Sequence, residues 1–276
     1  MNYRHAFHAG NHADVLKHIV LLACLAHLAK KPGAFAVLDT HGGRGQYDLE
    51  SSEAVRSPEW QGGIGRLWDW ADAPGDIAAL REAVAALNPD GRLRLYPGSP
   101  VLIRAALRAQ DRLIACELHD DDGAALKAHF RGDARAQIHL RDGWEALGAL
   151  TPFAERRGLV LIDPPYEAEG ELARARAAIA ETVQRFETGM VLWWRPLKDG
   201  AALDRTDIEL GQRIARPVLR VNLAVAAPSP AGKLTASSLL LINPPFGLER
   251  TLRESLPALA DRLSAGPGAG WRLGAP

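Results

Sequence analysis

Residues 34–45 read AFAVLDTHGGRG, an apolar run that ends on an acid and passes directly into a glycine-rich loop. A buried strand over Ala34–Asp39 with the loop Thr40 to Gly45 behind it is how a doubly wound sheet presents its ligand-binding edge to a nucleotide-like molecule. Upstream, Asn11 can cap a helix running to about Lys30: Val15, Leu16, Ile19, Val20, Leu22 and Ala26 share one face, and Lys30-Lys31-Pro32-Gly33 stops it. Downstream the strand rhythm continues at Leu113–Glu117, Ala136–Leu140, Leu159–Asp163 and Met190–Trp194, with helices expected near 121–130, 143–150 and 171–187. Such alternation predicts an α/β fold, Rossmann-like, with a mostly parallel sheet and helices on both faces. Val218–Ala226 and Ser237–Ile242 are separated only by turn residues, so an antiparallel hairpin is expected to close the sheet near the C-terminus.

The rhythm is interrupted between about Tyr47 and Pro97. Trp60, Trp68 and Trp70 sit there among Pro and Gly, and Ile77, Leu80, Val84 and Leu87 recur at helical spacing. We expect a small helical insertion subdomain over 47–97 inside one domain spanning 1–276. Ser99-Pro100 then opens the next helix, with a hydroxyl cap and proline at the first position. The Gly/Pro-rich stretch after Ser264 is expected to be loosely ordered.

Lys plus Arg equals Asp plus Glu at 33 each, so the chain lacks the basic excess of proteins held to nucleic acid mainly by charge. Any RNA site must be a local patch. Arg4, Lys17 and Arg44 are candidates, although an ordinary solvated surface fits them equally well. No uninterrupted apolar run approaches the ~20 residues of a bilayer span and the N-terminus is polar, so a cytoplasmic protein without a membrane partner is expected. Cys24 and Cys116 lie in apolar stretches and read as buried free thiols. His5, His8 and His12 have a spacing that invites a metal, but no cysteine or acid cluster completes a set, and no metal is expected.

The chemistry concentrates in LVLIDPPYE, residues 159–167, where an apolar strand delivers an acid, two prolines and an aromatic ring to the ligand edge. The N6 amine of adenine is a poor nucleophile, because its lone pair is delocalised. Asp163 and the Pro164 carbonyl can each accept one N–H, which localises that pair and aims it at a methyl donor. Tyr166 can stack on a base withdrawn from its own stack. A near-copy, Asn243-Pro244-Pro245-Phe246, also follows an apolar run, but it comes after the last strand expected and reads better as a turn into the final helix. Glu117 ends the second strand, where an acid takes ribose hydroxyls. Asp142-Gly143 ends the third, where an acid can accept an adenine amino group; for both acids a helix cap or a surface charge is the alternative.

NYRHAFHAGNHADVLKH at residues 2–18, LDTHGGRG, YPGSP, CELH, RDG and IDPPYE resemble, in that order, the bacterial 23S ribosomal RNA adenine-N6 methyltransferases of the RlmJ type. The resemblance covers nearly the whole chain. It implies a class I S-adenosylmethionine-dependent methyltransferase fold with the helical subdomain between the first and second strands. It implies that His18, His41, Ser99, Glu117, Asp142, Gly143 and Asp163 surround S-adenosylmethionine. Tyr3, His5 and Lys17 would line the approach of the target adenosine, with Asp163, Pro164 and Tyr166 at the reaction centre. The family's target is adenine 2030 in the usual bacterial numbering, and a monomer acting on 23S ribosomal RNA is the expectation. A DNA adenine methyltransferase, a protein-glutamine methyltransferase and a catalytically silent RNA-binding assembly factor on the same fold are the competing readings.

Overall fold

The computed structural model describes residues 4–229 and 232–276. Asn11 caps α1 (His12–Ala29) as its sequence predicts, its side-chain oxygen accepting the backbone N–H groups of Ala13 and Asp14 at 2.9 and 3.0 Å. β1 (Ala36–Asp39) follows, and the chain then leaves the main sheet for the insertion: β2 (Gln46–Asp48), α2 (Ser52–Arg56), α3 (Ile64–Trp68), α4 (Gly75–Ala86) and β3 (Leu95–Pro97). β2 and β3 pair antiparallel as a short ribbon that sets Tyr47 opposite Tyr96. The alternating core then runs α5 (Ser99–Ala106), β4 (Arg112–Glu117), α6 (Asp120–His129), β5 (Ala136–Leu140), α7 (Gly143–Leu150), β6 (Gly158–Ile162), α8 (Glu171–Arg185) and β7 (Met190–Pro196). It closes with α9 (Gly200–Ile214), β8 (Val218–Ala224), β9 (Ala236–Ile242), α10 (Leu248–Leu263) and β10 (Gly270–Gly274).

The eight-stranded sheet has the order β10-β8-β9-β7-β6-β1-β4-β5. β5, β4, β1, β6 and β7 are mutually parallel; β9 pairs antiparallel with both β7 and β8, and β10 antiparallel with β8. This is the class I methyltransferase arrangement with one added edge strand. Side chains of successive strand residues go to opposite faces. Val37, Leu113, Ala115, Leu159, Leu161 and Leu192 therefore join the core under α1, α4, α5 and α10. Leu38, Ile114, Cys116, Val160, Ile162 and Trp193 face the second core, beneath α7, α8 and α9. Both cysteines are buried free thiols, and burial pushes each up to about 12.

Two expectations are corrected. The stretch after Ser264 is not loose: Trp271 and Leu273 pack on the first core while β10 pairs residue by residue with β8, which closes that edge of the sheet. Ser99 is not the cap of α5: Gly98 holds the cap position and no side chain bonds there. Separately, α1 at 18 residues is long and apolar enough to cross a bilayer by length and composition, and most of it is buried in the fold as a core helix.

Candidate active site

All five parallel strands end at one cleft of about 490 Å³. Thr40 to Gly43 come from the end of β1, Glu117 to His119 from β4, Asp142 to Trp144 from β5, Asp163 to Tyr166 from β6, and Trp194, Pro196 and Lys198 from β7. The helix side adds His5, Lys17, His18 and Ser99. Every site residue expected from the sequence therefore meets in this cleft, except Tyr3, which lies outside the described residues.

One half of the cleft is built of clasped acids and neutral imidazoles. Glu117, 7% exposed, accepts the Gly43 N–H and the His119 N–H, each at 2.8 Å, one on each oxygen. A carboxylate held this way keeps a fixed orientation and a lone pair per oxygen for a diol. Asp142 is the N-cap of α7: it accepts the Trp144 N–H at 2.7 Å and an Arg174 guanidinium N–H at 3.1 Å. Its capping role is thus real, and the same bonds hold it at the cleft wall. Gly143 follows because nothing larger fits: a Cβ there would stand 2.1 Å from the Thr40 carbonyl oxygen. Ser99 lines the cleft beside Asp39, a residue the sequence did not single out, whose carboxylate accepts the His41 N–H at 3.3 Å. Asp39 is fully buried and one of its carboxylate oxygens has no partner among the described residues. Burial raises its pKa to about 6, and nearby Asp163 adds to the rise.

The other half centres on a buried cation. Lys17 extends from α1 with 5% of its side chain exposed, donating to Asp14 at 2.8 Å and, in a short contact, to Asp163 across 146 residues of chain. His5 contacts the other oxygen of Asp14 at 2.8 Å, and that oxygen also accepts the Gly10 N–H. Burial works against Lys17 carrying its charge, but the two carboxylates overcome it and raise its pKa. Burial likewise works against Asp14, and the charges of His5 and Lys17 still hold it well below the usual carboxylate range. The basic patch considered from Arg4, Lys17 and Arg44 is not free charge: Arg4 pairs with Asp121, Arg44 with Asp122, and Lys17 is buried.

Tyr166 sits at φ 53° in the left-handed region, strained for a side chain of its size. Its hydroxyl is held from two sides, accepting the Trp193 indole N–H at 2.7 Å and donating to the Trp194 carbonyl at 2.9 Å. The Trp194 ring stands 5.8 Å from the Tyr166 ring, centroid to centroid, tilted by 59°. Trp194 lines the cleft and was missed in the sequence; its signal is the adjacent pair Trp193-Trp194 at a strand end, where alternation sends one ring to the core and one to the ligand.

Three desolvated imidazoles, two buried and His41 half-buried, predict how the protein responds to acid. Burial depresses His18 to about 3 and His12 and His41 to about 4, so each stays neutral in the fold while its unfolded counterpart takes a proton near 6.5. Each contributes stability that is complete above pH 6.5 and is lost as the pH falls toward 4. Asp39, raised, and His8, raised by Glu59, act in the opposite sense. The net expectation is a loss of roughly 1–3 kcal/mol per pH unit below pH 6.5, the equivalent of one to two protons. Chemical denaturation at pH 7.5 and pH 5.5 reads it; equal stability at both would contradict it.

Strand direction disposes of the near-copy. β9 runs against β7, and Ile242 at its end pairs with Val191 at the beginning of β7, so Asn243 lies at the opposite edge of the sheet from the cleft. Its side chain donates to the carbonyls of Glu187 and Gly189 at 2.9 and 2.8 Å, as a turn-forming asparagine does. Phe246, the counterpart of Tyr166, is almost fully exposed there.

Comparison with known proteins agrees with this architecture. Residues 32–273 match the family model described as RsmJ, ribosomal RNA large subunit methyltransferase D, RlmJ. The ribosomal RNA large subunit methyltransferase J of Escherichia coli K12 is 42% identical over 95% of this chain and 94% of its own. The protein of the same name from Haemophilus influenzae is 42% identical over 99% of this chain and 98% of its own. The crystal structure of protein LPL1258 from Legionella pneumophila superposes with a TM-score of 0.89 at 32% identity, covering 97% of this chain and 98% of that one. With a match over most of its length and two such relatives, the chain belongs to the RlmJ family of ribosomal RNA large subunit methyltransferases.

Proposed function

We propose that this chain transfers the methyl group of S-adenosylmethionine to the exocyclic N6 of an adenine in 23S ribosomal RNA, acting as a monomer in the cytoplasm. The family resemblance gives adenine 2030 as the target. The observation that carries the reading is the convergence of Asp163-Pro164-Pro165-Tyr166 with Glu117, Asp142 and His18 in one cleft, while Asn243 lies on the far edge of the sheet.

The residues present fit the donor. Glu117, with its oxygens fixed by two backbone N–H groups, suits the ribose diol; Asp142 suits the adenine amino group; Gly143 lets the ligand approach the backbone. His18 brings to the cleft wall an imidazole nitrogen, Nε2, that no described residue partners. When bound, S-adenosylmethionine supplies an electrophilic methyl on a sulfonium. Everything else falls to the protein. One oxygen of Asp163 is taken by Lys17, and the other accepts the adenine amine; the Pro164 carbonyl accepts its second N–H, since two successive prolines leave no backbone donors in that turn. Tyr166 and Trp194 form the aromatic wall against which the withdrawn base stacks. The methylated amine is cationic as the bond forms, so a carboxylate beside it stabilises the transition state before any proton moves.

Labelled donor offered with free 23S RNA, with ribosomal subunits and with duplex DNA tests the assignment. N6-methyladenosine is expected in 23S RNA alone or within the subunit. Label in duplex DNA instead would favour the DNA enzyme, and no label anywhere would favour the silent assembly factor.

A further inference from the structure

The insertion lines the cleft with Tyr47 and Glu59, and it reaches His18 in the donor half through the buried hydroxyl of Tyr96. Tyr96, at the centre of β3 and fully buried, places its Oη 2.8 Å from His18 Nδ1, with the two rings stacked 5.6 Å apart at 24°. No other described residue bonds to that hydroxyl. A buried phenol that leaves its proton unpaired forfeits the solvation of a polar group, so the proton has one place to go, the ring nitrogen of His18. A neutral imidazole with Nδ1 accepting must carry its hydrogen on Nε2. The opposite tautomer would strand two groups at once: the phenol proton and an acceptor Nε2, which also has no partner among the described residues.

We propose that Tyr96, supplied by the insertion subdomain, locks His18 in its Nε2–H tautomer and so makes it an uncharged hydrogen-bond donor to the carboxylate of the methionyl group of S-adenosylmethionine. The carboxylate is the donor atom set that needs an N–H. The amino group and the sulfonium are cationic and gain nothing from one. Burial keeps His18 neutral, which places no positive charge beside the sulfonium. Tyr96 is a positioning residue here: it acts through His18 and the insertion thereby becomes part of the donor site. The carboxylate contact rests on the cleft being the donor site, whereas the tautomer lock does not.

The test has two independent readouts on the full chain. Histidine-selective ¹⁵N labelling, with the His18 signals assigned by their loss in His18→Gln, reports the tautomer without ligand. The wild type is expected to show an unprotonated Nδ1 and a protonated Nε2, and Tyr96→Phe to shift His18 toward the other tautomer or a mixture. Calorimetric titration with S-adenosylmethionine is expected to show about tenfold weaker binding by Tyr96→Phe, with KM for the donor rising while kcat stays within about twofold. An Nδ1–H tautomer in the wild type overturns the proposal, and needs no variant to be seen. A changed tautomer with unchanged donor affinity overturns the carboxylate contact. Absence of S-adenosylmethionine binding by the wild type would instead sink the reading of the cleft, leaving the nuclear-resonance result to judge the lock alone.

Discussion

Asp163→Ala should transfer methyl groups about 10²–10³ times more slowly than the wild type in single turnover with donor and RNA both saturating, the range expected when one fixed polar partner of a transition state is deleted. The loss has two parts. The amine loses an acceptor that localises its lone pair, and the cation forming at N6 loses the nearest carboxylate. Asp163→Asn separates them, because the amide keeps an acceptor oxygen without the charge. Its rate should fall between those of wild type and Asp163→Ala. Donor affinity should change less than the rate in both variants, since Glu117 and Asp142 are untouched. Should Asp163→Ala retain the full rate, the tetrapeptide is not the reaction centre. Asn243→Ala should leave transfer by each folded molecule intact, because that residue sits at the opposite edge of the sheet and bonds only to turn carbonyls.

The parts of this site that were legible from sequence are those dictated by chain order. An acid at the end of a parallel strand sits at the ligand edge, whatever the rest of the chain does, and Glu117, Asp142 and Asp163 are legible on that ground. Elements whose stripe is broken by a buried polar residue were harder. α9 carries Leu203, Leu210 and Ile214 at helical spacing, but Asp207 interrupts the face, and only the structure shows why: it is fully buried against Arg195, which also donates to Ser238 at 2.9 Å. The β2–β3 ribbon has three residues a side, too few to display alternation. Glycines at both ends of β10 concealed Trp271 and Leu273. The family resemblance sets Lys17 beside the substrate but does not disclose its partners. A helical period says which face a lysine shares, and it says nothing of a carboxylate 146 residues away.

That ion pair carries a large expected stability effect. Lys17→Met fills a similar volume and leaves part-buried Asp163 without its cation, while buried Asp14 keeps only His5 and the Gly10 N–H. Removing one partner of a buried pair costs about 3–5 kcal/mol, because the remaining charge is left uncompensated. The pH dependence distinguishes this cause from poor packing. In the wild type, Asp14 is held below its unfolded value, so its contribution is present above the ordinary carboxylate range and is lost only as the pH falls through and below it. Without Lys17, burial and the like-charged neighbour raise a carboxyl instead, so the variant loses stability as the pH rises through that raised value. The gap between wild type and Lys17→Met should therefore be wide at pH 8 and narrow toward pH 5; losses from the buried histidines are common to both and cancel in the difference. A gap that is the same at both pH values would assign the cost to packing and remove the buried triad of Asp14, Lys17 and Asp163 as the electrostatic support of the site. Lys17→Arg should not restore the wild type, since a guanidinium needs room and a planar pair of acceptors, and a position 5% exposed between two carboxylates on different elements offers neither.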